Sequence, residues 1–212
     1  MQFDFATLQA RQIYKLMAST ITPRPIAWIT SQDAQGRLNA APFSFFNMFC
    51  ADPPIIGVGI GSRPDSENSP KDTWGNIRAT GGFVVQLVDE ANAGAMNRTA
   101  TPFATGESEL ALGGIETLAS THVAPPRIAA SPVAFECVLH QEIALGSSAL
   151  ILGRVLMMHV RDDAVQDAER LHIATEGLGL IGRMHGAGWY ARTSDLFKLD
   201  RITIEEWQAG RR

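Results

Sequence analysis

Two long apolar runs flank Gly146-Ser147-Ser148: VAFECVLHQEIAL from 133 to 145 and ALILGRVLMMHV from 149 to 160. Both are dense in residues that favour a pleated surface, and the turn between them is short, so the pair reads as one long antiparallel hairpin. The same rhythm recurs upstream. Pro25–Thr30, Leu38–Phe49, Ile55–Ile60 and Phe83–Val88 read as strands, punctuated by Asp33-Ala34-Gln35-Gly36 and by Asp52-Pro53-Pro54. Six strand-like runs with turn signals between them predict a mainly β domain with peripheral helices, closed as a small antiparallel barrel.

Helix signals are fewer. Ser69 is a suitable N-cap, Pro70 suits a first helical position and Asp72 suits a first turn, so a helix is expected to start at Ser69. Asp89 is expected to cap a helix over Glu90–Asn97, and Gln166–Thr175 reads as a short helix. Residues 99–131 are rich in loop formers, and Gly177–Gly188 leads into a polar tail. No internal repeat or low-complexity linker divides the 212 residues, which predicts one domain over 1–212, its core at about 20–195.

Bulk properties narrow the function classes. Eighteen basic against 22 acidic residues, without a basic block, argue against a nucleic-acid partner. No apolar run has membrane-spanning length and no signal-peptide core precedes Asp4, so a cytoplasmic protein without a membrane partner is expected. Cys50 and Cys137 each sit alone in apolar runs and read as buried free thiols, with no metal-ligand spacing nearby.

Glycines at 57, 59 and 61 alternate along one strand face, leaving room for something flat or another backbone. GVGIGS is not a dinucleotide loop, because it lacks the G-x-G-x-x-G spacing and no helix follows Ser62-Arg63-Pro64. The start at Ser69-Pro70-Lys71-Asp72-Thr73 combines free helix N–H groups with two hydroxyls and an ammonium. That set suits a phosphate, although an ordinary capped surface helix has the same sequence. Arg24 lies between Pro23 and Pro25, which stiffen its backbone, and Arg63 ends the glycine-rich strand; both are further cationic candidates.

In APFSFFN, a Ser stands between aromatics. Strand alternation puts Ser44, Phe46 and Met48 on one face and Phe43, Phe45 and Asn47 on the other. The stretch suits an aromatic ligand with polar edges, or plain core phenylalanines with Ser44 at a bulge. Of five histidines, His122, His140, His159 and His172 have no recognisable partners. His185, in GRMHGAGWY, is either a structural loop residue or an accessible proton donor.

Together these segments resemble the flavin reductase-like family with the FMN-binding split-barrel fold. The resemblance rests on RPIAWIT at 24–30, APFSFFN at 41–47, DPPIIGVGIG at 52–61, KDTWGNI at 71–77, GGFVVQLV at 81–88 and PPRIAASPVAFEC at 125–137. It implies a six-stranded Greek-key split barrel and a homodimer with FMN near the subunit interface, FAD being the less expected flavin. By the same resemblance Arg24, Ser69, Lys71 and Thr73, in the stretch that includes Asp72, serve the phosphate side. The backbone around Ser44, Phe45, Phe46 and Asn47 lines the ring. Ser62 and Arg63 lie near the ribityl or phosphate, and Asn76 orders the helix against a loop.

The implied activity is an NAD(P)H-dependent flavin reductase-like oxidoreductase, passing electrons to a small acceptor or a partner oxygenase. A non-catalytic FMN-binding electron carrier is the alternative, and a barrel that has lost flavin is a third reading. His185 is the candidate catalytic residue, and no metal is expected.

Overall fold

A computed structural model describes residues 1–210 except 64, 65, 102, 104–106 and 187, with only the backbone described at 66–69. Eight strands form the main sheet: β1 (Ala27–Gln32), β2 (Leu38–Phe43), β3 (Phe46–Ala51), β4 (Pro54–Arg63), β5 (Ser66–Pro70), β6 (Gly82–Leu87), β7 (Val133–Leu145) and β8 (Ser148–Val160). Their order is β2-β1-β6-β7-β8-β4-β3, with β5 paired to β4. All of these pairs are antiparallel. The helices are α1 (Ala10–Thr20), α2 (Asp72–Thr80), α3 (Ala93–Arg98), α4 (Glu109–Leu112) and α5 (Ile204–Ala209). Among the described residues no helix is long and apolar enough to cross a membrane.

The alternation of side chains divides the core between two faces. Ala27, Ile29, Phe43, Val58, Ile60, Phe83, Val85, Cys137 and Ile151 gather on one face, where α2 adds Trp74 and Ile77. Trp28 and Ala40 point to the other face and pack with Met96 of α3, Leu110 of α4 and Ile128. Thus β1 is buried on both sides, its polar Thr30 and Ser31 included. Trp28 Nε1 also donates to Thr99 Oγ1 at 3.0 Å, tying the segment after α3 to the sheet.

A buried carboxylate fastens the loop before β7. Glu136 is fully buried; it accepts from Thr121 N at 2.8 Å and His122 N at 2.6 Å, and pairs with His159 Nε2 at 2.6 Å. Burial opposes its ionised form, but these three contacts outweigh burial and hold its pKa below the usual carboxylate value. His159 therefore has the partner that its sequence context did not reveal.

Six strand runs became eight for local reasons. The run Leu38–Phe49 splits at Ser44-Phe45, so β3 turns away from β2 and pairs with β4. The face alternation predicted across residues 43–48 breaks with it. The helix expected from Ser69 starts at Asp72, with Lys71 as N-cap. Proline disfavours a helical residue before it, so Ser69 stays extended, and Pro70 sits on the short edge strand β5 opposite Ser62. The side chain of Ser69 lies outside the described residues.

The helix expected over Glu90–Asn97 begins at Ala93, because Asp89 Oδ1 accepts from Asn92 N and closes a turn first. Gln166–Thr175 is a small hairpin, Val165–Asp167 against His172–Ile173, not a helix. Asp167 Oδ1 accepts from Arg170 N, and Leu171 takes a positive φ of 56°, which ends any helical path. Cys137 is buried as expected, whereas Cys50 is exposed.

Candidate functional site: a charged cavity at the start of α2

A cavity of ≈ 630 Å³ opens beside the N-terminus of α2. β2 contributes Asn39 and Phe43, β4 contributes Arg63, and Lys71, Asp72 and Thr73 come from the helix start. Thr99, Thr101, Phe103 and Glu109, all from the stretch that reads as loop, line the remainder. The helix start presents backbone N–H groups that have no partner within the helix.

Arg63 and Asp72 form an ion pair, and Arg63 Nε also reaches Pro70 O at 3.4 Å. The guanidinium is thereby held beside the helix start. Lys71 Nζ lies 5.8 Å from the centroid of the Phe43 ring, within cation–π reach. Desolvation lowers the Lys71 pKa, so the ammonium gains from an anionic neighbour. Burial raises the Glu109 pKa, a shift reduced by the bond from Ala40 N and reinforced by Asp72.

The predicted residues divide into those the fold gathers and those it separates. Arg63, Lys71, Asp72 and Thr73 meet in the cavity. Arg24 stands apart. Its guanidinium donates to Ala18 O at 2.7 Å, Ile21 O at 2.6 Å and Met184 O at 2.8 Å, and reaches Ser44 Oγ at 3.4 Å. It joins the end of α1 to the strand Ile181–Arg183. Phe45 is half exposed, beneath the Arg24 guanidinium at 5.9 Å and beside Tyr14. Phe46 packs against the barrel core, and the Asn47 side chain accepts from the Met48 amide.

Ser62 Oγ donates to Ser147 O at 2.6 Å, bracing the hairpin turn. Asn76 Nδ2 donates to Ser31 Oγ at 3.2 Å, so it orders α2 against β1 and not against a loop. His185 is exposed, 5.8 Å from the Trp189 ring, and does not line the cavity. The open glycine face of β4 is filled from within: a Cβ at Gly57 would meet Phe49 Cε2 at 2.5 Å, and one at Gly59 would meet Phe45 Cβ at 3.0 Å.

Sequence reasoning missed Asn39 and Glu109. Asn39 is a polar residue inside LNAAPF, a strand that is otherwise apolar, and that was its legible signal. Glu109 gave none, because its stretch has no periodicity from which to infer burial.

The chain is similar to known proteins over most of its length. The pattern of the "Flavin reductase like domain" matches residues 17–177. An uncharacterized protein of Deinococcus radiodurans is 41% identical over 210 residues, covering 97% of this chain and 92% of its own. Nitrilotriacetate monooxygenase component B from Bacillus cereus superposes with a TM-score of 0.88 at 33% identity, covering 94% of this chain and 98% of that one. The 2-nitrobenzoate 2-nitroreductase NbaA of Pseudomonas fluorescens gives 0.86 at 32%, covering 96% and 98%. The match across residues 17–177, these relatives and the eight-stranded antiparallel sheet together place the chain in the flavin reductase-like family, with its split-barrel fold.

Proposed function

We propose that this chain is a flavin-dependent oxidoreductase that holds FMN by its phosphate in the cavity at the start of α2. The observation that carries the reading is the convergence of Arg63, Lys71 and Thr73 on one cavity at a helix N-terminus. The donor set fits a dianion. Lys71 is an exposed cation at the helix start, Arg63 is fixed in place by Asp72, and Phe43 and Phe103 supply flat apolar surface nearby. A bound flavin would supply hydride and single-electron chemistry. The chain would bind it, orient it and exclude water from one side. His185, beside Trp189 and exposed, is proposed as a proton donor from the C-terminal region.

NAD(P)H is the proposed reductant. A partner oxygenase or a small acceptor takes the electrons, a reading supported by the names of the two solved relatives, one a monooxygenase component and one a nitroreductase. A homodimer is proposed from the exposed apolar side chains Phe45, Met48 and Phe49 at β3, close in sequence to the cavity strands.

Flavin titration tests the central claim. Lys71→Ala is expected to weaken FMN binding by about 1.5–3 kcal/mol, the scale of a charge-assisted hydrogen bond, while riboflavin binding barely changes. Equal affinity of the unmodified protein for FMN and riboflavin refutes phosphate recognition. NAD(P)H oxidation with added FMN separates a reductase from an electron carrier.

A further inference from the structure

The cavity contains an acidic side chain that flavin binding alone does not use. Glu109 is 9% exposed, and its Oε2 accepts from Ala40 N at 3.0 Å. Its Oε1 stands 3.3 Å from one end of the Asn39 carboxamide, whose other end meets Thr73 Oγ1 at 2.8 Å. Asn39 and Thr73 are 7% and 1% exposed. Three buried polar side chains thus run in sequence from α4 to the second residue of α2.

Such a chain has two proton arrangements, of which the first also satisfies Ala40 N at 3.2 Å and the second leaves that N–H facing the Asn39 NH₂. Ionised Glu109 can only accept. Asn39 then turns its NH₂ toward Glu109, and its oxygen accepts from Thr73 Oγ1 at 2.8 Å and from Ala40 N at 3.2 Å. The Thr73 hydroxyl proton is used up. Protonated Glu109 can donate to Asn39 Oδ1. Asn39 Nδ2 then donates to Thr73 Oγ1, and the hydroxyl proton is released for another acceptor. Charge changes in the same direction. Arg63 and Lys71 balance Asp72 and an ionised Glu109, and protonating Glu109 leaves the cavity with one net positive charge. Burial already favours the neutral carboxyl.

We propose that Glu109, acting through Asn39 on Thr73, links anion binding in this cavity to protonation, so that an anion seated at Lys71 draws a proton from solvent onto Glu109. The proposal rests on the phosphate reading above. The charged groups that line the cavity with Glu109 are Asp72 of α2, its N-cap Lys71 and Arg63 of β4; the other described residues of the lining carry no titratable side chain. By linkage, the proton taken up makes affinity fall as pH rises through the Glu109 range.

Isothermal titration of FMN, riboflavin and sulfate, in two buffers of different ionisation enthalpy, measures both affinity and protons taken up. Glu109→Gln fixes the donor state, because its NH₂ donates to Asn39 and its oxygen accepts from Ala40 N. As pH rises from the ordinary carboxylate range to pH 8, FMN affinity is expected to fall about three- to ten-fold more in the unmodified protein than in E109Q, with the excess proton uptake confined to the former. The titration of the FMN phosphate itself is common to both proteins and cancels. Identical pH slopes and uptake overturn the linkage while leaving FMN preferred over riboflavin. Equal affinity for FMN and riboflavin overturns the phosphate reading and this proposal with it. Should E109Q not fold, sulfate tests the unmodified protein, since sulfate keeps one charge across the range. Proton uptake on the acid side of neutrality supports the linkage, and its absence overturns it.

Discussion

Glu136→Gln isolates what the buried carboxylate does for this fold. Two backbone amides, from Thr121 and His122, and the His159 ring converge on its two oxygens. A carboxamide keeps one oxygen. Its NH₂ must then face either the His122 N–H or the pair formed by Thr121 N–H and His159, donor against donor. An unsatisfied buried polar group costs about 1–3 kcal/mol, and a contact to a charged acceptor is worth about 1.5–3 kcal/mol, so the variant should lose about 2–4 kcal/mol. For a chain of this size that is a fall in Tm of roughly 4–16 °C.

The pH dependence follows from the depressed pKa. Glu136 contributes stability that is fully present above its unfolded-state value and is lost as pH falls through its lower folded value. The difference between the two proteins should therefore be full at pH 7 and shrink in acid. Urea unfolding followed by far-UV circular dichroism at pH 7 and near pH 4 reads both effects. A variant within about 0.5 kcal/mol of the unmodified protein at pH 7, the range of an ordinary surface change, refutes the reasoning. So does a difference that does not change between the two pH values.

Three further outcomes are expected. A Cβ at Gly153 would collide with the ring of Phe83, which is fully buried, and would lie 3.4 Å from Cys137 Cβ; Gly153→Ala should cost about 1–3 kcal/mol by overpacking. The collision at Gly57 is with the end of the Phe49 side chain, which is 59% exposed in the single chain, so Gly57→Ala should cost less than Gly153→Ala; the reverse ranking in urea unfolding would contradict the packing. His185→Ala should leave FMN affinity nearly unchanged and slow turnover about ten- to a thousand-fold, and unaltered turnover at equal flavin occupancy removes His185 from the mechanism. Light scattering at micromolar concentration should give twice the chain mass, with Met48→Glu shifting the protein toward monomer; a monomeric mass for the unmodified protein rules the dimer out.

What the sequence disclosed follows the range of the forces involved. The hairpin of β7 and β8 is legible because alternation, β-branched residues and Gly146 with its positive φ act within a few positions of each other. The split at Ser44-Phe45 is not, because the chain turns there to pair β3 with β4, and the space for that turn comes from Gly57 and Gly59 more than ten residues later.

The site divides in the same way. Lys71, Asp72 and Thr73 are neighbours at one helix start, so their joint chemistry can be read locally even though the helix begins at Asp72 and not at Ser69. Arg24 looked like a ligand group for a sound local reason, a cation in a stiff setting. Yet the carbonyls of Ala18, Ile21 and Met184, the last 160 residues away, are what its guanidinium meets. Glu109 is the converse case. Its carboxyl takes its character from burial and from Ala40, Asn39 and Asp72, none within 30 residues, and only the folded chain brings this acid to the cavity that holds Arg63 and Lys71.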